Sequence, residues 1–309
     1  MSWRTTLPLR GPGGEPVDFI RTINSHGVAS LPPVFAHAEG IEITLATRGD
    51  PVTVRLRAAS EELLIEGAGR PPAAKLREEV RRAVAHVLRL DDDLSDFYAL
   101  VADDPDLGWV VAGAGRMMRC QSVFEDVVKT ICTTNCAWSA TVRMVDALVS
   151  HLGERAPGAP DDSTRGRTFP DAEAMAAAGA DFYRDVVRAG YRGPYLREIA
   201  RRAVAGELDL EALARDRDMP DEELERRLLA LPGVGPYAAA HIMLMLGRYS
   251  RLILDSWTRP TFLRVSGMRR AADSTIRRRF RRYGRYSGLA FWLYLTRSWV
   301  PDPAGHATS

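Results

Sequence analysis

One carboxylate, Asp255, stands out because it directly follows a short apolar run, Leu252-Ile253-Leu254. A carboxylate beside apolar residues needs a partner or a purpose, since taking an unpaired charge out of water is costly. A carboxylate held in place can stabilise developing positive charge, and it can orient or deprotonate a water molecule. The alternative is structural, with Asp255 as the N-cap of a helix that starts near Thr258.

A glycine-containing turn, Leu231-Pro232-Gly233-Val234-Gly235, lies between two helical patterns. The first pattern, residues 221–230, opens with acidic side chains, and the second begins at Pro236, a residue favoured in a first turn. Gly233 and Gly235 allow a sharp turn with positive φ and leave the amides before the second helix bare. Because such amides bind phosphate without reading base sequence, the turn predicts a DNA contact. A plain connection between two helices is the alternative.

Composition bounds the class of protein. The chain has 309 residues, of which 46% are hydrophobic and 27% charged, as expected of an ordinary globular protein with two or three modest domains. No apolar run approaches the ~18 residues of a membrane span, and the N-terminus does not resemble a signal segment. We therefore expect a cytoplasmic protein.

Cysteine and lysine are both scarce, which limits the chemistry. The three cysteines, Cys120, Cys132 and Cys136, fit neither a disulfide framework nor a four-thiolate metal site, and free thiols are expected. Lys75 and Lys129 are the only lysines beside forty arginines, a bias that a GC-rich genome would explain. Chemistry that needs a lysine amine has therefore only two candidates.

The hydrophobic pattern changes along the chain. Residues 1–15 are rich in glycine and proline, which predicts irregular structure. Apolar positions alternate between Ile41 and Ile65, as in antiparallel strands, and helical spacing follows from Leu76 to Val87. From about residue 94 the pattern is helical. The fold class predicted is α+β, with a small N-terminal antiparallel sheet domain and one helix in residues 1–93 and an all-helical body in 94–309.

The hairpin, here 221–246, together with an Asp some twenty residues after the turn, resembles the helix–hairpin–helix DNA glycosylase superfamily. Phe124 through Asn135 resembles the helix and DNA-facing loop that open the helical domain of that family. Phe169-Pro170 and Gly190-Tyr191-Arg192 resemble its middle helices. A sheet domain before the helices fits the 3-methyladenine DNA glycosylase II and 8-oxoguanine glycosylase branches. The resemblance covers most of residues 15–300.

The resemblance implies a role for two residues of the hairpin region. Asp255 matches the family's catalytic acid, which would stabilise the positive sugar as the N-glycosidic bond breaks. Tyr237 stands where bifunctional members carry a lysine that forms a Schiff base with the sugar. Because tyrosine cannot do this, the sequence predicts a monofunctional glycosylase without AP-lyase activity. In alkylpurine members this position is aromatic, so Tyr237 could stack on a flipped purine.

Other residues receive roles with structural alternatives. His241, one turn after Tyr237, and Trp257 are predicted to line the same base pocket, although a structural histidine is equally compatible with the pattern. Asn135 would fill the gap left by a flipped base, or would simply be a turn residue. The arginine-rich segment that includes Arg278 and Arg282 is predicted to meet phosphates, or to be a solvated face.

The predicted function is removal of a damaged purine, first an alkylated one such as 3-methyladenine, from double-stranded DNA in base excision repair. An 8-oxoguanine glycosylase and a non-catalytic damage-binding protein are the alternatives. No cofactor is expected. No cysteine follows Cys136, which excludes the C-terminal iron–sulfur cluster of some branches. A Na⁺ or K⁺ ion could bind to the hairpin backbone. The protein is expected to bind DNA as a monomer and not to associate with a membrane.

Overall fold

The computed structural model describes residues 2–160 and 163–301. Its N-terminal part is a five-stranded antiparallel sheet in the order β1-β5-β4-β3-β2. The strands are β1 Ser2–Pro8, β2 Val34–His37, β3 Gly40–Leu45, β4 Val52–Ala59 and β5 Glu62–Ala68. The alternation between Ile41 and Ile65 is therefore confirmed as three neighbouring strands.

The N-terminal part contains two strands, β1 and β2, that the sequence pattern did not predict. The segment 1–15, predicted to be irregular, contains β1, which pairs with β5 so that Trp3 lies opposite Gly67. The indole packs where a Gly67 side chain would stand, which explains the glycine. The second is β2, which had no recognised pattern. The glycines and Pro12 follow β1, and Pro8 is its last residue.

Helices make up the rest of the fold. Two belong to the N-terminal part, α1 Phe19–Ile23 and α2 Ala74–Val87, where one was predicted. The body contains α3 Ser95–Val101, α4 Val123–Thr133, α5 Trp138–Leu152, α6 Ala172–Ala177, α7 Gly193–Val204, α8 Leu210–Arg215, α9 Asp221–Leu229, α10 Pro236–Met245, α11 Thr258–Ser266, α12 Asp273–Phe280 and α13 Ser287–Thr296. The α+β class is confirmed.

The apolar core consists of three clusters, one under the sheet and two in the helical body. They do not divide cleanly at residue 93. Leu31 packs in a helical cluster, whereas Met118 and Cys120 pack under the sheet. The division into 1–93 and 94–309 therefore stays a prediction, and residues 302–309 of the second part lie outside the described residues. Among the described residues, no helix is long and apolar enough to cross a bilayer.

A buried arginine, Arg89, connects the N-terminal part to the helical body. Arg89, which follows α2 and is 1% exposed, donates from Nε to the Met117 carbonyl at 2.7 Å. Its Nη2 donates to the carbonyls of Leu244 and Met245 at the end of α10. A cation at a helix C-terminus also suits the helix dipole. This contact fixes α10, one helix of the hairpin, against the N-terminal part.

Candidate active site

The hairpin forms between α9 and α10 as predicted. Gly233 has a φ of 78°, which favours glycine, and a Cβ there would stand 2.7 Å from the Tyr195 ring. Gly235 is extended, with a φ of −100°, so the expected positive φ is wrong at this position. A Cβ at Gly235 would meet nothing within 4 Å, so the backbone before α10 borders open space. The Val234 amide donates to the Leu231 carbonyl, whereas the amides of Gly233 and Gly235 have no hydrogen-bond partner in the described part of the chain.

Ion pairs fix the first helix of the hairpin. Arg248, just after α10, pairs with Asp221 at the start of α9 at 2.7 Å. Arg251 pairs with Glu225 on the same helix at 2.8 Å. Because the segment from 248 to 251 leads directly to Asp255, these contacts also set the distance between the hairpin and that carboxylate.

Asp255 is half-buried and lines a cavity of about 1520 Å³. Its Oδ1 accepts the amides of Trp257 at 2.8 Å and Thr258 at 2.6 Å. In return, the Asp255 amide donates to the Thr258 hydroxyl at 2.8 Å. Oδ2 has no hydrogen-bond or ion-pair partner in the described part of the chain. The N-cap residue of α11 is Trp257, so the N-cap role predicted for Asp255 is wrong in position. Asp255 instead closes the turn that leads into α11 with one oxygen and leaves the other for chemistry.

Aromatic rings form one wall of this cavity. Tyr237 and His241 have ring centroids 6.0 Å apart, and His241 meets Trp292 at 6.3 Å. Trp257 lies 5.7 Å from Trp292 and 5.5 Å from Trp299. The structure thus brings together the three predicted pocket residues and adds two tryptophans that the sequence pattern did not single out.

Burial and polar neighbours shift the pKa of two of these rings, Tyr237 and His241. The Tyr237 hydroxyl lies 3.3 Å from the Thr133 hydroxyl, and burial raises the pKa of Tyr237. Burial lowers the pKa of His241 to about 4, although Asp255 works in the opposite direction. His241 is therefore neutral near pH 7, and its Nδ1 is buried without a hydrogen-bond partner. The wall carries no fixed positive charge at these two positions.

The loop after α4 contains Asn135, which is exposed and has a φ of 47°. Asparagine tolerates this left-handed conformation, so the turn role predicted for it is real. Its Nδ2 donates to the hydroxyl of Tyr191 at 3.1 Å. Tyr191 is 51% exposed and lies 6.2 Å from Tyr195, the ring that packs on Gly233. Two exposed tyrosines therefore connect the Asn135 loop to the hairpin.

Lys129 lies on α4 and lines the same cavity, a placement that its position in the sequence did not predict. Its Nζ is 2.7 Å from Glu125 Oε1, and both side chains are almost completely buried. Burial lowers the pKa of the Lys129 ammonium, but Cys120 and the Glu125 carboxylate raise it by more. Lys129 is thus held as a charged, paired ammonium. Lys75 is exposed at the start of α2 and does not line the cavity.

The predicted phosphate contacts of the arginine-rich segment receive uneven support. Arg282 pairs with Asp104 at 2.9 Å and stacks 4.9 Å from the Tyr283 ring. The side chain is still 54% exposed, so its phosphate contact stays a prediction. Arg278 is exposed on α12, and its phosphate contact stays a prediction. Neither residue lines the cavity.

No group of His, Cys, Asp and Glu side chains in residues 2–160 and 163–301 is arranged to hold a metal ion. For a monovalent cation the ligands would be hairpin carbonyls. Two of them already accept amides, Leu231 from Val234 at 3.2 Å and Gly235 from Ala239 at 2.9 Å. An ion bound to either carbonyl would share that oxygen with an amide. The monovalent cation stays a prediction.

A helical hairpin beside a cavity that Asp255 lines, together with an N-terminal sheet, is a fold that this chain shares with solved DNA glycosylase structures. Solved structures confirm this fold. A 3-methyladenine DNA glycosylase from Archaeoglobus fulgidus superposes with a TM-score of 0.71 and 22% identity, over 97% of this chain and all of that one.

Two other solved structures are about as similar. MBOgg1 in complex with a low-affinity DNA ligand has a TM-score of 0.71 and 19% identity over 95% of each chain. The 8-oxoguanine glycosylase/lyase of Clostridium acetobutylicum has a TM-score of 0.70 and 20% identity, over 96% of this chain and 98% of that one. No protein-family model and no curated protein matches the sequence. The resemblance stated from the sequence is therefore confirmed for the fold.

Proposed function

We propose that this protein is a monofunctional DNA glycosylase that hydrolyses the bond between a damaged purine and its sugar. The observation that carries the proposal is Asp255, whose Oδ1 is fixed by two amides while Oδ2 has no partner in the described chain. The carboxylate is held rigidly at a cavity large enough for a base. The 3-methyladenine and 8-oxoguanine enzymes with the same fold support the class of reaction.

The chemistry follows from the position of that oxygen. As the C1′–N bond breaks, positive charge develops on the sugar, and a preplaced carboxylate stabilises it without having to reorganise. Water then supplies hydroxide to C1′. Its remaining proton goes to the departing base when that base is uncharged, and to solvent when the base is already cationic and leaves as a neutral molecule. The product is a free base and an abasic site in an unbroken strand.

The aromatic wall favours an alkylated purine as the substrate. Alkylation at a ring nitrogen gives the base a positive charge, which both weakens the glycosidic bond and attracts it to ring faces. Tyr237, Trp257 and Trp292 all line the cavity, so such a base would meet aromatic side chains there. Neutral His241 adds no repulsion. A 3-methyladenine-like base is therefore the first substrate to test.

The hairpin and the Asn135 loop would hold the duplex. The amides of Gly233 and Gly235 suit a phosphate, whereas Val234 is buried and its amide already donates to the Leu231 carbonyl. Tyr191, exposed beside Asn135, could stack where the base has left the helix, and extrusion of a base costs a few kcal/mol that such stacking would offset.

We expect Tyr191→Ala to weaken binding to a duplex with an abasic site about tenfold, in line with ~1–3 kcal/mol for stacking on one base. Tyr191→Phe keeps the ring and loses only the hydroxyl that meets Asn135, so it should bind almost normally. Fluorescence of 2-aminopurine placed beside the lesion measures the effect. Equal binding by wild type and Tyr191→Ala would remove Tyr191 from the DNA contact.

The monofunctional mechanism predicts that the protein forms no Schiff base with DNA. The residue at the family's lysine position is Tyr237, and the ammonium of Lys129 is paired with Glu125. We expect wild type to leave abasic sites that break only in hot alkali, with no borohydride-trapped complex on gels. Trapping that disappears in Lys129→Arg would instead show that Lys129 acts as a nucleophile.

A panel of duplexes tests the proposed function. Release of methylated purines, measured by chromatography, is the expected result for wild type. Release of 8-oxoguanine alone would replace the alkylated substrate while keeping the reaction. Tight binding to every lesion without release of any base would support a damage-binding protein instead.

A further inference from the structure

Two histidines from distant parts of the chain meet at the cavity. His26 follows α1 in the N-terminal part, and His241 lies on α10. Their ring centroids are 5.6 Å apart in a T-shaped arrangement, and both rings line the cavity. His26 is only 8% exposed. The proposed reaction assigns no role to His26.

The hydrogen bond made by His26 fixes which of its nitrogens carries the proton. Nε2 lies 2.5 Å from the Met118 carbonyl oxygen. Since a carbonyl oxygen can only accept, Nε2 must be the donor. Burial lowers the pKa of His26 to about 3, so the ring is neutral near pH 7. Nδ1 is then an unprotonated acceptor.

This acceptor has no donor in the described part of the protein. Nδ1 is not one of the fully buried, unpartnered side-chain atoms of the described residues, so it keeps access to the open space of the cavity, where it can accept a hydrogen bond from water or from a ligand. An acceptor of fixed tautomer on a ring that lines the cavity is suited to a ligand that brings an N–H group.

We propose that Nδ1 of His26 is a specificity-determining acceptor that receives an N–H of the flipped base. The inference rests on the proposed function and narrows its substrate class. An adenine-type purine carries an amino group at the six position, whereas a guanine-type purine presents a carbonyl oxygen there. Two facing acceptors repel, so the pocket would prefer alkylated adenine to alkylated guanine.

Two substitutions separate the nitrogens of His26. The amide of His26→Gln reaches the position of Nε2 and can still donate to Met118, but it places no acceptor at Nδ1. The amide of His26→Asn reaches the position of Nδ1 and loses the contact with Met118. A purely structural role would make Asn the more damaging change, whereas base selection makes Gln the more damaging one.

Methylated duplex DNA contains both 3-methyladenine and 7-methylguanine, so one reaction reports both rates. We expect His26→Gln to lower 3-methyladenine release about tenfold, the effect of one hydrogen bond, with 7-methylguanine release unchanged. His26→Asn should keep most of the wild-type preference. An unchanged ratio in His26→Gln, or an equal fall for both bases, would overturn the proposal.

Binding of free bases tests the inference without catalysis. Quenching of tryptophan fluorescence would compare 3-methyladenine with 3-methylhypoxanthine, in which a carbonyl replaces the amino group. We expect wild type to prefer 3-methyladenine and His26→Gln to lose the preference. Absent or equal binding of the two bases by wild type would overturn the inference. If no methylated base is released from DNA but this preference is present, the proposed function fails and the inference stands.

Discussion

Asp255→Asn is expected to lower the single-turnover rate of base release by about 10²–10³-fold, the usual effect of removing one group that stabilises transition-state charge. The asparagine side-chain oxygen can take the place of Oδ1 and accept the amides of Trp257 and Thr258. Folding and DNA affinity should therefore stay close to wild type. Rapid-quench measurements of release, with affinity measured separately, distinguish chemistry from binding.

Asp255→Ala provides the matched control. It removes the charge and the two amide contacts at the start of α11 together, so we expect the same loss of rate plus a loss of about 1 kcal/mol of stability. If Asp255→Asn retained more than a third of the wild-type rate while Asp255→Ala lost stability, the carboxylate would close the turn before α11 and do nothing more.

The largest effect on stability is expected for Arg89→Met. The guanidinium is buried, pairs with Asp92 and donates to carbonyls of Met117, Leu244 and Met245. Removing it leaves a largely buried carboxylate and the end of α10 without their partner, a change that typically costs about 3–5 kcal/mol. Urea denaturation should show this as a fall in the free energy of unfolding.

A control for Arg89→Met is Arg82→Met on α2, where the side chain is 74% exposed and pairs with Glu78 at 3.4 Å. We expect little change there, because exposed ion pairs contribute little. A similar small loss for Arg89→Met would mean that the junction between α10 and the N-terminal part does not depend on this arginine.

Local patterns were enough to predict the hairpin, the strands between Ile41 and Ile65 and the position of Asp255 beside a helix start. Each depends on neighbours in the sequence, such as glycine before Pro236 or an acid after an apolar run. The strand β1 was missed because its partner β5 is some sixty residues away. A glycine-rich segment directly after it dominated the local composition.

The rest of the site depends on contacts between distant residues. Trp292 joins the cavity because its Nε1 donates to the Ser25 carbonyl at 2.7 Å, across 267 residues of sequence. The candidate role of His26 depends on its contacts with Met118 and His241, which are far from it in the sequence. Lys129 lines the cavity because α4 packs against α10. No spacing rule connects such pairs. The same limit applies to Arg282, because its ion-pair partner Asp104 is far away in the sequence and could not be predicted from the arginine-rich segment.

The most direct test of hydrolysis assisted by Asp255 is to incubate methylated duplex DNA with wild type and Asp255→Asn and to count free bases and abasic sites in the same samples. If Asp255 is the catalytic carboxylate, wild type yields equal numbers of both and no broken strands, and the mutant loses at least a hundredfold in release with DNA binding kept. Equal release by the two proteins, or no release by wild type from methylated and oxidised duplexes alike, would contradict it.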